Sequence, residues 1–464
     1  MGTFRTLFLT VFLIFSVAVF GDYETTLQLA NQGDALAQYN LGAMYDAGQE
    51  VKQDFKEAIK WYRLSAEQGD VLAQYNLGTM YAQGQGTAQD YKEALKWYQK
   101  AAEQGDALAQ SNLGTLYAQG QGVTQDYQEA FKWFQKAAGQ GDALAQCNLG
   151  TMYNKGQGVK QDYKEAIIWY QKAADQGDAL AQSTLGTLYR KGEGVKQDYQ
   201  EAVKWYQKAA GQGDALAQYS LGTLYAEGQG VAKDYQQTVK WYQKAAEQGD
   251  AQAQSDLGTL YRKGEGATQD YAEAVKWYRL AAEQGNAFGQ NNLGLMYEAG
   301  KGVAQDYAEA VKWYRLAAGQ GNAFGQNNLG LMYESGKGVP QDYAEAVKWY
   351  RLAAGQGLPK AQNNLGHIYQ LGQGAADDYA QYQLPVDQAL PVAQNNPGYR
   401  YDQGQGVAQD YTLAYMWINL AAEQGDANAG QALDTLARRM TPLQLAKAQK
   451  MAQACQARKY KGCE

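Results

Sequence analysis

A chain of 464 residues is too long for one ordinary globular core, so it either divides into several domains or grows by length as a repeat array. With 37 Tyr and 10 Trp it is too aromatic for a disordered chain, and 53 Gly against 6 Pro promise frequent turns that proline seldom makes. The balance of 41 basic to 48 acidic residues, −7 overall and without a basic stripe along the chain, argues against nucleic acid as a partner.

Met1 to Arg5 gives a short positively charged start, and Leu7 to Phe20 a 14-residue apolar run. The small or branched residues of Val19-Phe20-Gly21 follow, so residues 1–21 are expected to be an export signal cut after Gly21. The run is short for a spanning helix, which needs about 20 apolar residues; a retained N-terminal membrane anchor is the alternative. No lipobox cysteine follows the run, which argues against a lipoprotein. Met1-Gly2 with Thr6 also fits a myristoylation pattern, but the apolar run explains itself as an export signal. The mature chain then has no membrane span, and it is expected to be periplasmic or secreted. Loss of Arg5 leaves 40 basic residues against 48 acidic, or −8.

Residues 22–36 are expected to form an N-terminal cap helix. From Ala37 onward the chain repeats every 36 residues. Trp61, Trp97, Trp133, Trp169, Trp205, Trp241, Trp277, Trp313 and Trp349 hold one register, and Leu-Gly pairs recur from Leu41-Gly42 to Leu365-Gly366. Each unit reads as two helices. In the unit starting at Ala73, Gly69 suits the end of the preceding helix and Asp70 the cap of the next. Ala73, Leu77, Met80 and Tyr81 make one apolar helical face. Gly78 lies inside that helix, where glycine costs about 1 kcal/mol relative to alanine; close approach of a neighbouring helix is the expected compensation. Gly84 and Gly86 turn the chain. Asp90 opens the second helix with Glu93 three residues on, and Tyr91, Ala94, Leu95, Tyr98, Ala101 and Ala102 form its apolar face. Trp97 is expected to pack on the first helix or the adjoining unit.

Nine full units run to Lys360. A tenth, 361–392, is four residues short, lacks the Trp and carries Pro385 and Pro391; an eleventh spans 393–428, with Pro397 in place of the usual Leu. A kink is expected over 383–397. Residues 429–464 read as C-terminal capping helices, and Thr441-Pro442-Leu443-Gln444 is a good helix start. The basic cluster of this tail, Arg438 to Lys461, reads as a solvated helix face. Cys455 and Cys463 are placed to close a small terminal loop in an oxidising compartment, whereas Cys147 stands where other units have Tyr or Ser.

Ala-Gln-Tyr-Asn-Leu-Gly-Thr-Met-Tyr (73–81), Gly-Gln-Gly (84–86), Asp-Tyr-Lys-Glu-Ala-Leu-Lys-Trp-Tyr (90–98) and Ala-Ala-Glu-Gln-Gly (101–105) together resemble the Sel1-like repeat, a relative of the tetratricopeptide repeat with a longer interhelix loop. The resemblance covers 37–428. It implies an all-α fold, an αα-hairpin repeat solenoid wound as a right-handed superhelix, and an adaptor between proteins. For exported bacterial members it further implies envelope processes or contact with host factors, an immunoglobulin-like partner included. The β-lactam binding linked to cysteine-rich members is not carried over, because this chain has no cysteine pair in each repeat.

Chemistry-bearing motifs are weak. The recurrent Gly-x-Gly follows a helix and not a strand, so a turn explains it better than phosphate binding. The recurrent carboxylates sit at cap positions. His367 has no second His or Cys nearby in sequence, so neither a metal nor a cofactor is expected. No catalytic residue is assigned. An enzyme or regulator of cell-wall metabolism is the competing class, with the irregular 367–402 region as its nearest candidate.

Comparison of the units separates constant from variable positions. The variable ones on the first helix, equivalent to Tyr39, Asn40, Ala43, Asp46 and Ala47, lie opposite the Ala37/Leu41/Tyr45 face. Tyr39, Asn40, Tyr75, Asn76, Thr79, Tyr219, Asn291, Asn327, Asn363 and His367 are the candidate partner-binding residues, expected to line the concave side. Residues 286–321 and 322–357 differ only at Ala299/Ser335 and Ala304/Pro340, as a recent duplication would leave them.

Overall fold

The computed structural model describes residues 22–358, 360–361, 364, 410–423 and 429–457. The expected export signal (1–21) and the expected kink (383–397) lie outside them. Every regular element among the described residues is an α-helix. The chain forms two compact units, Met1–Asp234 and Tyr235–Glu464.

The repeating element is a pair of 13-residue helices, Val71–Gln83 and Tyr91–Glu103 in one repeat. The Asp70 carboxylate accepts from the Ala73 N–H at 2.7 Å, and the Asp90 carboxylate accepts from the Lys92 and Glu93 N–H groups at 2.9 and 3.1 Å. Each bond satisfies a donor that the first helical turn leaves open. The first helix ends on Gly84 in the left-handed region, at φ 71°. The second ends at Gln104, followed by Gly105 at φ 101°.

Two glycines do different work. A Cβ on Gly78 would lie 2.8 Å from Cδ1 of Tyr98, whose ring is fully buried. The interior glycine therefore lets the tyrosine of the second helix lie flat on the first, the expected close approach. Gly122 holds the repeats together. It has φ +72°, and a Cβ there would lie 2.4 Å from the Tyr91 carbonyl oxygen, at the start of the preceding repeat's second helix. Glu50 occupies the same register in the first repeat, with φ 60°. Instead of a preceding full-length helix it meets the short helix Tyr23–Asn31, and its carboxylate accepts the Tyr23 N–H at 2.9 Å.

Glutamines join successive repeats. Buried Gln74 donates to the Ala66 carbonyl at the end of the preceding second helix (3.1 Å), and its own oxygen accepts from Gln104 (2.9 Å). Gln104 also donates to the Gly69 carbonyl at 3.0 Å. The same pairing recurs at Gln140/Gln110 in the first unit and Gln320/Gln290 in the second. These bonds occupy carbonyls that a helix end would otherwise leave open in a buried place. The tryptophans pack across repeats: Trp169 lies against a cluster that includes Ala130, Phe134, Leu149 and Met152, and Trp349 against Ala310, Val311, Tyr314, Leu329 and Met332.

At the C-terminal end Tyr411–Glu423 packs with Ala429–Ala437 and Pro442–Ala457. Thr441 and Gln444 cap the last helix reciprocally: the Thr441 N–H donates to Oε1 of Gln444 at 2.9 Å, and the Gln444 N–H donates to Oγ1 of Thr441 at 3.3 Å. Cys455 is buried in this group, and Cys463 lies outside the described residues. Cys147 is fully buried.

Candidate functional site

The variable positions of the first helix divide into two rows. Tyr39 and Tyr75 are 5% and 7% exposed, and their rings lie against Tyr62 and Tyr98 at 5.8 and 5.9 Å between centroids. Asn291 and Asn327 are likewise buried. The expectation of one open stripe does not hold for these four. The first helix of the following repeat covers them, and the bond from Asn328 Nδ2 to Asn291 Oδ1 (2.8 Å), 37 residues away, shows the contact directly. Asn40, Asn76, Thr79 and Tyr219 are half-buried, and Asn363 and His367 lie outside the described residues.

The open row sits one residue further round. It contains Leu36, Asn40, Ala43 and Ala47 in the first repeat and their equivalents after it. Their spacing of four, three and four residues keeps them on one helical face. Leu36 and Ala47 are exposed and Asn40 half-buried, whereas Ala43, Asn112, Thr115 and Asn148 within the row are buried. Leu36, Leu72, Leu108 and Leu216 are exposed at the start of this face in the first unit. Sequence comparison missed these leucines because they scarcely vary there, and nothing in a constant leucine says that it is exposed. In the second unit the face changes: Gln252, Asp256 and Thr259 on the helix Ala251–Lys263 give way to Phe288, Asn292 and Leu295 on Ala287–Ala299, and to Phe324, Asn328 and Leu331 on Ala323–Ser335.

The third position of this row is linked to the core. The Tyr98 hydroxyl donates to Thr79 Oγ1 at 3.0 Å, and Tyr170 donates to Thr151 at the same distance. Where the threonine is absent, an acidic residue three positions on takes the bond. Tyr62 donates to Asp46 beside Ala43, Tyr314 to Glu298 beside Leu295, and Tyr350 to Glu334 beside Leu331. A buried hydroxyl left without a partner costs about 1–3 kcal/mol, so losing threonine and gaining a carboxylate belong together. Burial holds the hydroxyls of Tyr62, Tyr98, Tyr314 and Tyr350 above the usual tyrosine range, and the neighbouring carboxylate adds to this at Tyr62, Tyr314 and Tyr350.

Cap aspartates line the ends of the first helices. Burial raises the carboxyls of Asp106 and Asp142 above the ordinary range, against the pull of the Ala109 and Ala145 N–H bonds. In the duplicated repeats Asn286 and Asn322 replace them and accept from Gly289 and Gly325 at 2.7 and 2.8 Å. On the second helices Lys136, Lys172 and Lys208 lie 4.0, 3.9 and 4.0 Å above the rings of Trp133, Trp169 and Trp205. Lys244 keeps this place over Trp241, whereas Leu280, Leu316 and Leu352 stand there exposed in the repeats that follow, as Leu64 does in the first.

A cavity of about 460 Å³ at the first repeat is lined by Tyr23, Tyr45, Glu50, Val51, Lys52, Gln53 and Asp54. Its two tyrosine hydroxyls bond to each other at 3.0 Å; that bond and partial burial push Tyr45 up to about 12, so it stays protonated at neutral pH. No cluster of potential metal ligands occurs among the described residues, and no described helix is long and apolar enough to cross a membrane.

Tandem helical hairpins, glycine-mediated stacking and a chemically variable outer row define a repeat solenoid of the protein-interaction type. The chain belongs to the Sel1 repeat family, whose sequence pattern matches eleven segments: nine consecutive ones from 35–70 to 323–358, then 359–381 and 391–426. These segments begin two residues before the phase taken from the sequence, and the nine consecutive ones start at the first residue of each first helix. The chain is similar in structure to a protective antigen present in uropathogenic Escherichia coli strains and displaying an SLR fold: 37% identity over 94% of this chain and 96% of that one, with a TM-score of 0.77. It is also similar to a Sel1 repeat protein from Oxalobacter formigenes, 35% identical over 68% of this chain and 91% of that one, with a TM-score of 0.53. No curated protein matches the chain.

Proposed function

We propose that this protein is an exported scaffold that binds an envelope or host protein along the open row of its first helices, on the concave side of the solenoid. The observation that carries the reading is the exposed leading position of the row, whose apolar side chains Leu36, Leu72, Leu108, Leu216, Phe288 and Phe324 face solvent and change from leucine to phenylalanine along the chain. Asn40, Asn76, Thr79 and, outside the described residues, His367 belong to the proposed contact surface, while Tyr219 and Asn363 hold the register of Tyr39 in the neighbouring row. Tyr39, Tyr75, Asn291 and Asn327 act through it by spacing the first helices. Sel1 repeat proteins generally mediate protein–protein interaction, and the solenoid is typically non-catalytic. Likeness to a protective antigen supports a host-facing partner over a cell-wall enzyme. Cleavage after Gly21 and a Cys455–Cys463 bridge are parts of the same proposal, since both suit an exported chain.

Affinity capture with the mature protein, read by mass spectrometry, tests it. The wild type should retain an envelope or host protein that a folded Leu36→Ser, Leu72→Ser, Phe288→Ser variant loses. Equal recovery by both would remove the open row as the contact surface. An N-terminal peptide that begins before residue 22 in exported material would remove the cleavage site.

A further inference from the structure

We propose that the C-terminal helix Pro442–Ala457 is a docking face for an anionic phospholipid surface, which the protein binds peripherally and independently of the open row. The charge of the chain is divided unevenly. Residues 429–464 hold seven basic residues and two acidic ones, whereas 22–428 hold 33 basic and 46 acidic. The acidic majority opposes any general attraction to phosphate, so such an attraction is confined to this end of the chain.

The helix sorts its side chains by face. Ala452 and Cys455 are buried in a cluster with Met416, Trp417 and Leu420, and Ala448 is buried one turn earlier. Leu443, Lys447, Lys450 and Ala454, spaced four, three and four residues apart, are all exposed on the opposite side. Leu443 is 82% exposed. Arg438 and Arg439, also exposed, stand in the turn that leads into the helix. Lysines of the repeats bond to a glutamate three residues earlier, as Lys60 to Glu57 and Lys204 to Glu201 do at 3.0 and 2.7 Å. Pro442–Ala457 contains no acidic residue, so its two lysines have no such partner on their own helix. Asp434, four residues before Arg438, is the one carboxylate among residues 429–457, against four cations. On the packed helix Tyr411–Glu423, Asp410 is taken up as the cap, and Glu423 accepts from Asn419 at 2.9 Å.

Cations around one apolar tip select the partner. At a bilayer surface lysine and arginine meet the phosphates with their charge and lay their aliphatic stems on the boundary, while a leucine dips beneath the headgroups. An acidic polymer in solution would reward the cations but give Leu443 nothing to enter. The outward face carries no aromatic ring on which the bases of a nucleic acid could stack. Each lysine or arginine near an anionic leaflet contributes about fivefold in affinity. Four cations and one leucine therefore give a reversible attachment, as distinct from the insertion of a spanning helix.

A flotation titration of the mature protein tests the proposal, with vesicles of equal parts phosphatidylglycerol and phosphatidylcholine set against phosphatidylcholine alone. The mixed vesicles should carry the protein, the neutral ones should not, and added salt should release it. The double variant Lys447→Gln, Lys450→Gln should bind about twenty-five-fold more weakly, with the melting temperature held. Leu443→Ser should bind about fivefold more weakly, again with the fold intact. Equal binding to the two kinds of vesicle, no binding to the mixed ones, or unchanged binding by the folded double variant would each overturn the proposal. Soluble polyglutamate separates a lipid surface from an acidic protein. Capture of polyglutamate as strong as that of the mixed vesicles, with Leu443→Ser without effect on either, would also overturn it and point to an acidic polymer.

Discussion

The repeats of the first unit and the duplicated pair at 286–357 solve the same packing problem with different residues. Around Tyr98 the first unit uses threonine as hydroxyl acceptor, an aspartate cap and a lysine over the tryptophan. Around Tyr314 the duplicated pair uses a glutamate, an asparagine cap and an exposed leucine. The buried glycine–tyrosine contact is common to both: a Cβ would lie 2.8 Å from the ring at Gly78 and 2.7 Å at Gly294. The comparison teaches that the core contact is fixed while its polar satisfaction is exchangeable. Each exchange changes what the open face shows to solvent.

The largest effects should fall on what the two regions share. Trp97→Ala removes a side chain that is 4% exposed and should cost about 3–5 kcal/mol. Trp313→Ala, at a half-buried ring, should cost less; chemical denaturation of both variants checks the order, and equal losses would break the comparison. Gly122→Ala meets both a positive φ and a backbone carbonyl, so it should destabilise by about 2–4 kcal/mol. Glu50→Gly, at the same register, should be nearly neutral at the backbone while loosening the first turn of Tyr23–Asn31, seen as faster amide exchange there.

Next come the exchangeable parts. Thr79→Val removes the acceptor of the Tyr98 hydroxyl, which keeps only its contact with Asn112, and should cost about 1 kcal/mol. Thr115→Val should cost less, because Phe134 stands where the other repeats have tyrosine and has no hydroxyl to satisfy. Leu295→Thr should be close to neutral, since Tyr314 keeps Glu298.

The smallest effect is on pH dependence. Asp106 and Asp142 have folded carboxyls raised above 3.8 by burial, so the folded state binds protons more readily than the unfolded one. Their ionisation opposes folding, and that cost is relieved as pH falls through the raised folded values toward 3.8. Asp106→Asn and Asp142→Asn keep a capping side chain, as Asn286 shows, and remove the titration. Relative to the variants, the wild type should therefore gain thermal stability on acidification from neutral pH into that window. Identical pH profiles would sink this assignment.

Much of the fold was legible in the sequence because its signals are local or periodic. The Asp caps and the Thr441/Gln444 helix start each depend on residues a few positions apart, the Trp register shows by its repetition every 36 residues, and the interior Gly78 announced a close approach without saying to what. Parts that depend on the next repeat were hidden. Nothing in the string distinguishes Tyr39 from Asn40 as buried or open, since the difference is made by a helix 36 residues away. The role of Gly122 is equally non-local, because its partner is the Tyr91 carbonyl. The exchange of Thr79 for Glu298 shows in the sequence only once the tyrosine hydroxyl that links the two positions is known.

Hydroxyl-radical footprinting of the intact protein tests the central claim, that the free surface is the open row and not the row beside it. Phe288, Leu295, Phe324 and Leu331 should be oxidised at rates approaching those of the unfolded chain, while Tyr39, Tyr75, Tyr314 and Tyr350 stay protected. Protection of the first group, or oxidation of the second at matching rates, would contradict the account.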